Sequence, residues 1–269
     1  MHSRSEDGGA MTTKQSDQVD WKHWLQRWDA QQEGYVPERE ERFRVMLDVL
    51  EALLPDEFVA LDLACGPGSI SERLLERFPG ARSVAIDIDP VMLALGRGAL
   101  GTCDGRLRWI DADLAAQGWV ESVGEVSVDA VLSTTALHWL AAPHLFGLYR
   151  QLGTLVRPGG VFLNGDNMDF GPDLLTIQRF AEDARDRYWS DESFAARGVE
   201  TAEQWWDALG REPSMAPLIA ERTRRFASKE RPSSSLTFDE HFGALRDAGF
   251  REVASVWQSG TDRVLLAVR

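Results

Sequence analysis

FVALDLACGPGSISERLLERFPGARSVAIDID, residues 58–89, decides how the rest of the chain is read. Val59, Ala60, Leu61 and Leu63 form a short apolar run, as expected of a strand covered on both faces. Gly66-Pro67-Gly68 interrupts it. Ile70, Leu74 and Leu75 then recur at helical spacing until Pro79-Gly80, and residues 83–88 form a second apolar run that closes on Asp87 and Asp89. The pattern is strand, glycine turn, helix, strand, with carboxylates at the strand tips. In an open α/β sheet ligands sit beyond the carboxyl ends of the strands. Glycines there let a ligand approach the backbone at a helix start. An acid at the second tip, Asp87, is placed to accept two hydrogen bonds from a ribose diol. Asp62, just before the turn, would repel a pyrophosphate and suit an ammonium group. A nucleoside with an amino-acid tail fits these charges better than a dinucleotide.

LDLACGPGS followed by VAIDIDPVML resembles the cofactor site of class I S-adenosylmethionine (AdoMet)-dependent methyltransferases, of the small-molecule type similar to the trans-aconitate methyltransferases. The resemblance covers about residues 52–157. Ala64 stands where that family usually has glycine. The fold it implies is a doubly wound, seven-stranded Rossmann-like α/β sheet with an antiparallel last strand. The cofactor positions it implies are Asp62, Ala64, Gly66, Gly68 and Asp87. Ile88 and Met92 would sandwich the adenine, though Met92 reads equally well as helix core. After the third strand (residues 107–110), Asp113 would accept from the adenine amino group, with backbone at Ala112 and Leu114 beside the ring. Asp111 is read as a solvated surface acid, although the short spacing allows the two to exchange roles. Ser133 and Thr134, at the tip of the fourth strand (residues 128–132), lie where the resemblance puts the sulfonium. Leu137-His138-Trp139 resembles the LHW element of the trans-aconitate group. His138 is a candidate proton acceptor, since imidazole titrates near neutrality, or a histidine that merely holds the sheet edge.

A dinucleotide-binding fold is the nearest rival. Asp62 before the glycines, Ser71 in place of a third glycine and the closing hairpin argue against it. A module that holds AdoMet or its demethylated product without transferring methyl is the alternative from another functional class.

Upstream, Trp21, Trp24, Leu25 and Trp28 lie at helical spacing, Gly34 and Pro37 mark a break, and a second helix runs to about Leu54. Residues 19–55 are expected to form a helical lid, with Glu33, Tyr35 and Arg39 as lid candidates and Tyr35 a candidate catalytic residue. Residues 1–18 read as a disordered leader. The core is expected over residues 56–172, with Arg157-Pro158-Gly159-Gly160 as a turn before a fifth strand at 161–163 and a polar tip at 164–168 on the substrate side of the cleft. A charged, Trp-rich helical insertion between the fifth and sixth strands (173–235) is expected to cap the acceptor, with Trp189, Trp205 and Trp206 as pocket candidates and a loop at 231–235. Residues 236–269 complete the core. Thr237 is placed to cap the last helix before an antiparallel hairpin over residues 251–268.

The chain has 269 residues and a net charge of −14, which opposes non-specific nucleic-acid binding. Two cysteines are too few for a disulfide framework or a cysteine-rich metal site, and no metal is expected. No apolar run is long enough to span a membrane. These readings imply a cytoplasmic protein, a monomer or homodimer, acting on a small-molecule acceptor.

Overall fold

The computed structural model describes residues 19–125, 127–229 and 236–269. The leader expected at 1–18 and the loop expected at 231–235 lie outside the described residues. In chain order the elements are α1 (Trp21–Tyr35), α2 (Arg39–Leu53), β1 (Val59–Leu63), α3 (Ser69–Arg77), β2 (Arg82–Asp87), α4 (Pro90–Leu100), β3 (Leu107–Asp111), α5 (Trp119–Val123), β4 (Val128–Thr134), α6 (Ala142–Leu155), β5 (Val156–Asn167), α7 (Leu175–Tyr188), α8 (Asp191–Arg197), α9 (Ala202–Leu209), α10 (Ala216–Phe226), α11 (Phe238–Asp247), β6 (Glu252–Ser259) and β7 (Asp262–Val268). The strands form one seven-stranded sheet in the order β3-β2-β1-β4-β5-β7-β6. β1 to β5 run parallel, and β7 runs antiparallel to both β5 and β6.

The two faces of the sheet differ in a way that positions the site. Leu61, Leu63, Val84 and Ile86 point to one face and pack with Leu148, Tyr149 and Leu152 of α6. The alternate residues point the other way: Ala60 and Ala85 pack with Ile70, Leu74 and Leu75 of α3 and with Phe43 and Met46 of α2. The small alanines let α3 lie close to the sheet. Asp62, Ser83 and Asp87 share this second face.

A third apolar cluster joins α1, α4 and the insertion: Trp24, Leu95 and Met92 meet Trp205, Leu209 and Met215. The insertion, α7 to α10, is thereby docked on the N-terminal helices rather than only on the sheet. Gly34, expected to break a helix, lies inside α1. Its function is clearance, since a Cβ there would stand 2.5 Å from Phe194 Cε1.

The turn expected at 157–160 is absorbed into β5, which runs from Val156. Pairing with β4 shifts register between Val128 and Ala130, and Gly159 takes a φ of +77°. Gly159 N donates to Arg269 O, and Arg269 N to Gly160 O. Ladders on both sides turn a strong turn signal into a bulge. Thr237 caps α11 in a capping box with Glu240, as its spacing predicts.

Candidate functional site

The glycine turn is clasped by Asp87. One carboxylate oxygen accepts from Gly66 N and the other from Asp89 N, each at 2.7 Å. Gly66 has φ +55°, and a Cβ built there meets nothing within 4 Å, so the backbone is open to a ligand. Gly68 has a different requirement: its φ is +88° and its missing side chain is replaced by the Trp109 ring. Ala64 adopts φ +51°, a left-handed conformation that favours glycine over alanine.

Asp62 is buried and accepts a 2.6 Å hydrogen bond from Ser71 Oγ, which also meets Ser83 Oγ. Burial pushes Asp62 up to about 7, with the Asp87 charge adding to the shift against the Ser71 bond. Burial likewise pushes Asp87 up to about 6. Two desolvated carboxylates beside an open backbone cradle call for a cation. A buried cation stands on the other side of the turn. Arg39 Nη2 pairs with Asp29 Oδ1 at 2.9 Å, and Asp29 in turn accepts from Ser69 Oγ at the first turn of α3. Arg39 Nη1 makes no hydrogen bond and stands 3.8 Å from Glu40 Oε1.

The tips of β2 and β3 are roofed by α10. Arg222 Nε donates to Asp89 Oδ2 at 2.6 Å. Arg225 donates to Ile88 O and forms a two-toothed pair with Asp111, while Lys229, just beyond the helix, pairs with Asp113 Oδ2. Asp111 is therefore an ion-pair partner, not merely a solvated acid. Asp113 Oδ1 also accepts the Ala115 amide. Met92 and Leu114 are buried in apolar clusters, Met92 against the α1–insertion junction and Leu114 in the α6-side core. Ile88 and Ala112 are partly exposed near these acids.

At the tip of β4, Ser133 is buried and spends its hydroxyl on Leu63 O, tying β4 to β1. Thr134 is partly exposed. Thr135 follows with φ +54°, and its Oγ1 accepts from Arg42 Nη2. Arg42 is wholly buried and also pairs with Asp262 Oδ1 at 2.7 Å, so one guanidinium spans the tips of β4 and β7. Beyond Thr135 a one-turn 3-10 helix, Leu137–Trp139, carries His138. Its Nδ1 lies 2.7 Å from Asp166 Oδ1, and its backbone amide donates to Asp166 Oδ2. Asp166 is buried. Burial pushes its carboxyl upward, but His138 and then Arg42 outweigh that and hold it below its ordinary value. His138, Asp166, Asn167 and His241 border a cavity of about 200 Å³ whose other walls are largely apolar. Asp166 belongs to the polar tip at 164–168 that the sequence sets on the substrate side of the cleft, whereas His241, Arg42 and Thr135 were not singled out by sequence.

Tyr35 does not join this group. Its hydroxyl accepts from Ala202 N and its carbonyl from Trp189 Nε1, so it fastens α1 to the insertion. Trp205 is fully buried between Trp24 and Trp28, and Trp206 packs on it under Arg222. These tryptophans dock the insertion, and none of them lines the cavity beside His138.

The residues present fit AdoMet: an open glycine cradle, two buried acids for its positive charges, and an under-bonded Arg39 for its carboxylate. Among the described residues no cluster of three or more His, Cys, Asp or Glu is placed to hold a metal ion.

Residues 60–160 match a family model described as a methyltransferase domain. A trans-aconitate 2-methyltransferase of Azoarcus sp. (strain BH72) is 36% identical over 135 residues, 50% of this chain and 48% of the relative. The enzyme of that name from Escherichia coli O157:H7 is 35% identical over 123 residues, 45% of this chain and 44% of the relative. The chain thus spans about half the length of the curated relatives it matches. Among solved structures, magnesium protoporphyrin IX methyltransferase from Synechocystis PCC 6803 with bound SAH gives a TM-score of 0.56 at 14% identity, covering 91% of this chain and 94% of that one. An O-methyltransferase family protein from Burkholderia thailandensis gives 0.54 at 17% identity, covering 95% and 65%. At these identities the structures bear on the fold.

Proposed function

We propose that this chain, which carries a methyltransferase domain over residues 60–160, transfers the methyl group of AdoMet to a small-molecule acceptor. The observation that carries the reading is the glycine turn clasped by Asp87, with a second buried acid, Asp62, on the same face. Asp87 would hold the ribose diol, Asp62 would balance the ammonium group, and Arg39 would meet the carboxylate. Ile88, Ala112 and Asp113 would border the adenine, and Thr134 would stand beside the sulfonium. When bound, AdoMet supplies a methyl group activated by positively charged sulfur. The protein's part is then to align the acceptor and exclude water.

His138 would take the proton of an acceptor that carries one, and Asp166 would position it. With Nδ1–H donated to Asp166, the lone pair sits on Nε2. The net charge of −14 supports a small molecule over a nucleic acid. Two cysteines without a disulfide suit a reducing cytoplasm, and no helix among the described residues is long and apolar enough to cross a membrane.

The test is calorimetric titration of the wild type and Asp87→Ala with AdoMet, followed by transfer of a labelled methyl group to an acceptor panel. Trans-aconitate belongs in the panel because the relatives carry its name. Wild-type binding weakened at least about tenfold by Asp87→Ala is expected. No binding by the wild type rejects the reading; binding with no transfer to any acceptor favours a regulatory module.

A further inference from the structure

We propose that Ser71, with Ser83 behind it, is a positioning residue of the cofactor site: their hydroxyls form a buried donor chain that presents Asp62 as a carboxylate to the ammonium group of AdoMet. This rests on the methyltransferase reading and deepens it at one end of the cofactor.

Place in the fold carries the first half of the argument. Ser71 lies on the buried stripe of α3 with Ile70, Leu74 and Leu75, the stripe that packs on Ala60 and Ala85 of the sheet. Both Ser71 and Ser83 are buried. A hydroxyl in such an apolar layer is costly unless it is bonded. Here both are bonded, and the bonds lead to one acid. Ser71 Oγ stands 2.6 Å from Asp62 Oδ2 and 2.8 Å from Ser83 Oγ. Ser83 sits on β2 opposite Ala60 of β1, so the chain of hydroxyls ties α3, β2 and β1 together at Asp62. The residue in place of a dinucleotide fold's third glycine is thus a donor to the acid that precedes the turn.

The hydrogens carry the second half. Ser71 Oγ has one, and giving it to Asp62 leaves Ser71 an acceptor toward Ser83, whose own hydrogen fills that role. Every hydrogen of the chain then points toward the carboxylate, and 2.6 Å is the spacing of a hydroxyl on an ionised acid. Burial and the Asp87 charge work against ionisation of Asp62, and the Ser71 hydroxyl and backbone amide work for it. Two titratable neighbours act here: Asp87 on β2, and the Cys65 thiol in the turn, which burial keeps neutral. The α2 and α3 side chains packed on this face, Phe43, Met46, Ile70 and Leu74, carry no charge.

The experiment is calorimetry of the wild type, Ser71→Ala and Ser83→Ala from pH 6.5 to 8.5. Each is titrated with AdoMet and with 5′-methylthioadenosine, which keeps the nucleoside and lacks the amino-acid tail. The ratio of variant to wild-type Kd for AdoMet cancels the titration of the cofactor and of Asp87. For Ser71→Ala it should be roughly tenfold at pH 6.5 and shrink to within about twofold at pH 8.5, because losing the donor raises the acid by about one unit and higher pH restores its charge. Ser83→Ala leaves Ser71 its bond to Asp62, so its ratio should be about threefold at pH 6.5 and fall in the same way. 5′-Methylthioadenosine should bind all three proteins within about twofold. A ratio that does not change with pH, a loss for 5′-methylthioadenosine equal to that for AdoMet, or AdoMet affinity unmoved in the variants would overturn the proposal. Should Ser71→Ala fail to fold, the pH dependence of the Ser83→Ala ratio decides. Absence of AdoMet binding by the wild type would instead reject the methyltransferase reading beneath it.

Discussion

His138 and Asp166 are joined twice: Nδ1 lies 2.7 Å from Oδ1, and the histidine's own backbone amide donates to Oδ2 at 3.1 Å. The carboxylate therefore fixes both where the turn sits and which imidazole nitrogen carries hydrogen. Asp166→Asn keeps the shape but can offer its amide N–H to Nδ1, which selects the wrong tautomer. We expect kcat to fall by roughly 100-fold while AdoMet affinity holds. Pre-steady-state methyl transfer measures this directly. If only the melting temperature moves, the pair is a structural clasp.

Cofactor binding should release protons. Asp62 and Asp87 are pushed up to about 7 and about 6, above their ordinary 3.8, so the folded apoprotein holds protons that the unfolded chain does not. Their contribution to stability is present below that range and is lost as pH rises through it. A bound sulfonium and ammonium would pull both acids down. Titrating AdoMet at pH 6.5 in buffers of different ionisation enthalpy should show a fraction of a proton released, and affinity should tighten between pH 6 and 8. Asp62→Asn should abolish much of the release; equal enthalpies in all buffers would show that the acids do not face the cofactor.

The core of this site was readable from residues 58–89 because its signals are local. Alternation, glycines and tip acids all lie within one strand–helix–strand unit. The boundary of β5 was not readable, because Arg157-Pro158-Gly159-Gly160 is turn-forming in isolation and only its neighbours β4 and β7 hold it in the sheet. Asp166 could not be assigned to His138, since their meeting depends on where the tips of two neighbouring strands end. Met92 and Trp205 stayed open between a ligand-facing and a core reading for a related reason. Helical spacing shows that a face is apolar but not that α1 and the insertion will cover it.

Ala64→Gly should stabilise the protein. The left-handed φ of +51° costs an alanine about 1–2 kcal/mol, whereas glycine's extra unfolded-state freedom costs about 0.5–1 kcal/mol. The difference favours glycine by roughly 0.5–1 kcal/mol. Urea midpoints of the two proteins at equal m-values would settle the sign, and a lower midpoint for the variant would mean the turn is unstrained.

Trp205→Ala should cost about 3–5 kcal/mol, since the ring is wholly buried where α1 meets α9. Trp189→Ala, at a ring that is 38% exposed, should cost less than about 1 kcal/mol. Chemical denaturation gives both values. A small loss for Trp205→Ala would show that the insertion is not held through this ring.

His241 makes the fold acid-sensitive in one window. Its folded pKa of about 4 lies below the ordinary 6.5, because burial against Tyr149 disfavours the imidazolium. Between pH 6.5 and 4 the unfolded chain takes up a proton that the folded chain refuses, so this residue's effect is a loss of stability as pH falls. The loss saturates below pH 4 at about 3 kcal/mol. Asp62 and Asp87 act in the opposite direction over an overlapping range, so the wild-type profile alone cannot isolate the term. The difference between wild type and His241→Gln can, because glutamine has the size to reach Tyr149 and does not titrate. Stability of the variant relative to wild type should therefore rise steadily from pH 6.5 to 4. A constant difference across that interval would mean that His241 titrates no differently in the folded protein than in the unfolded chain.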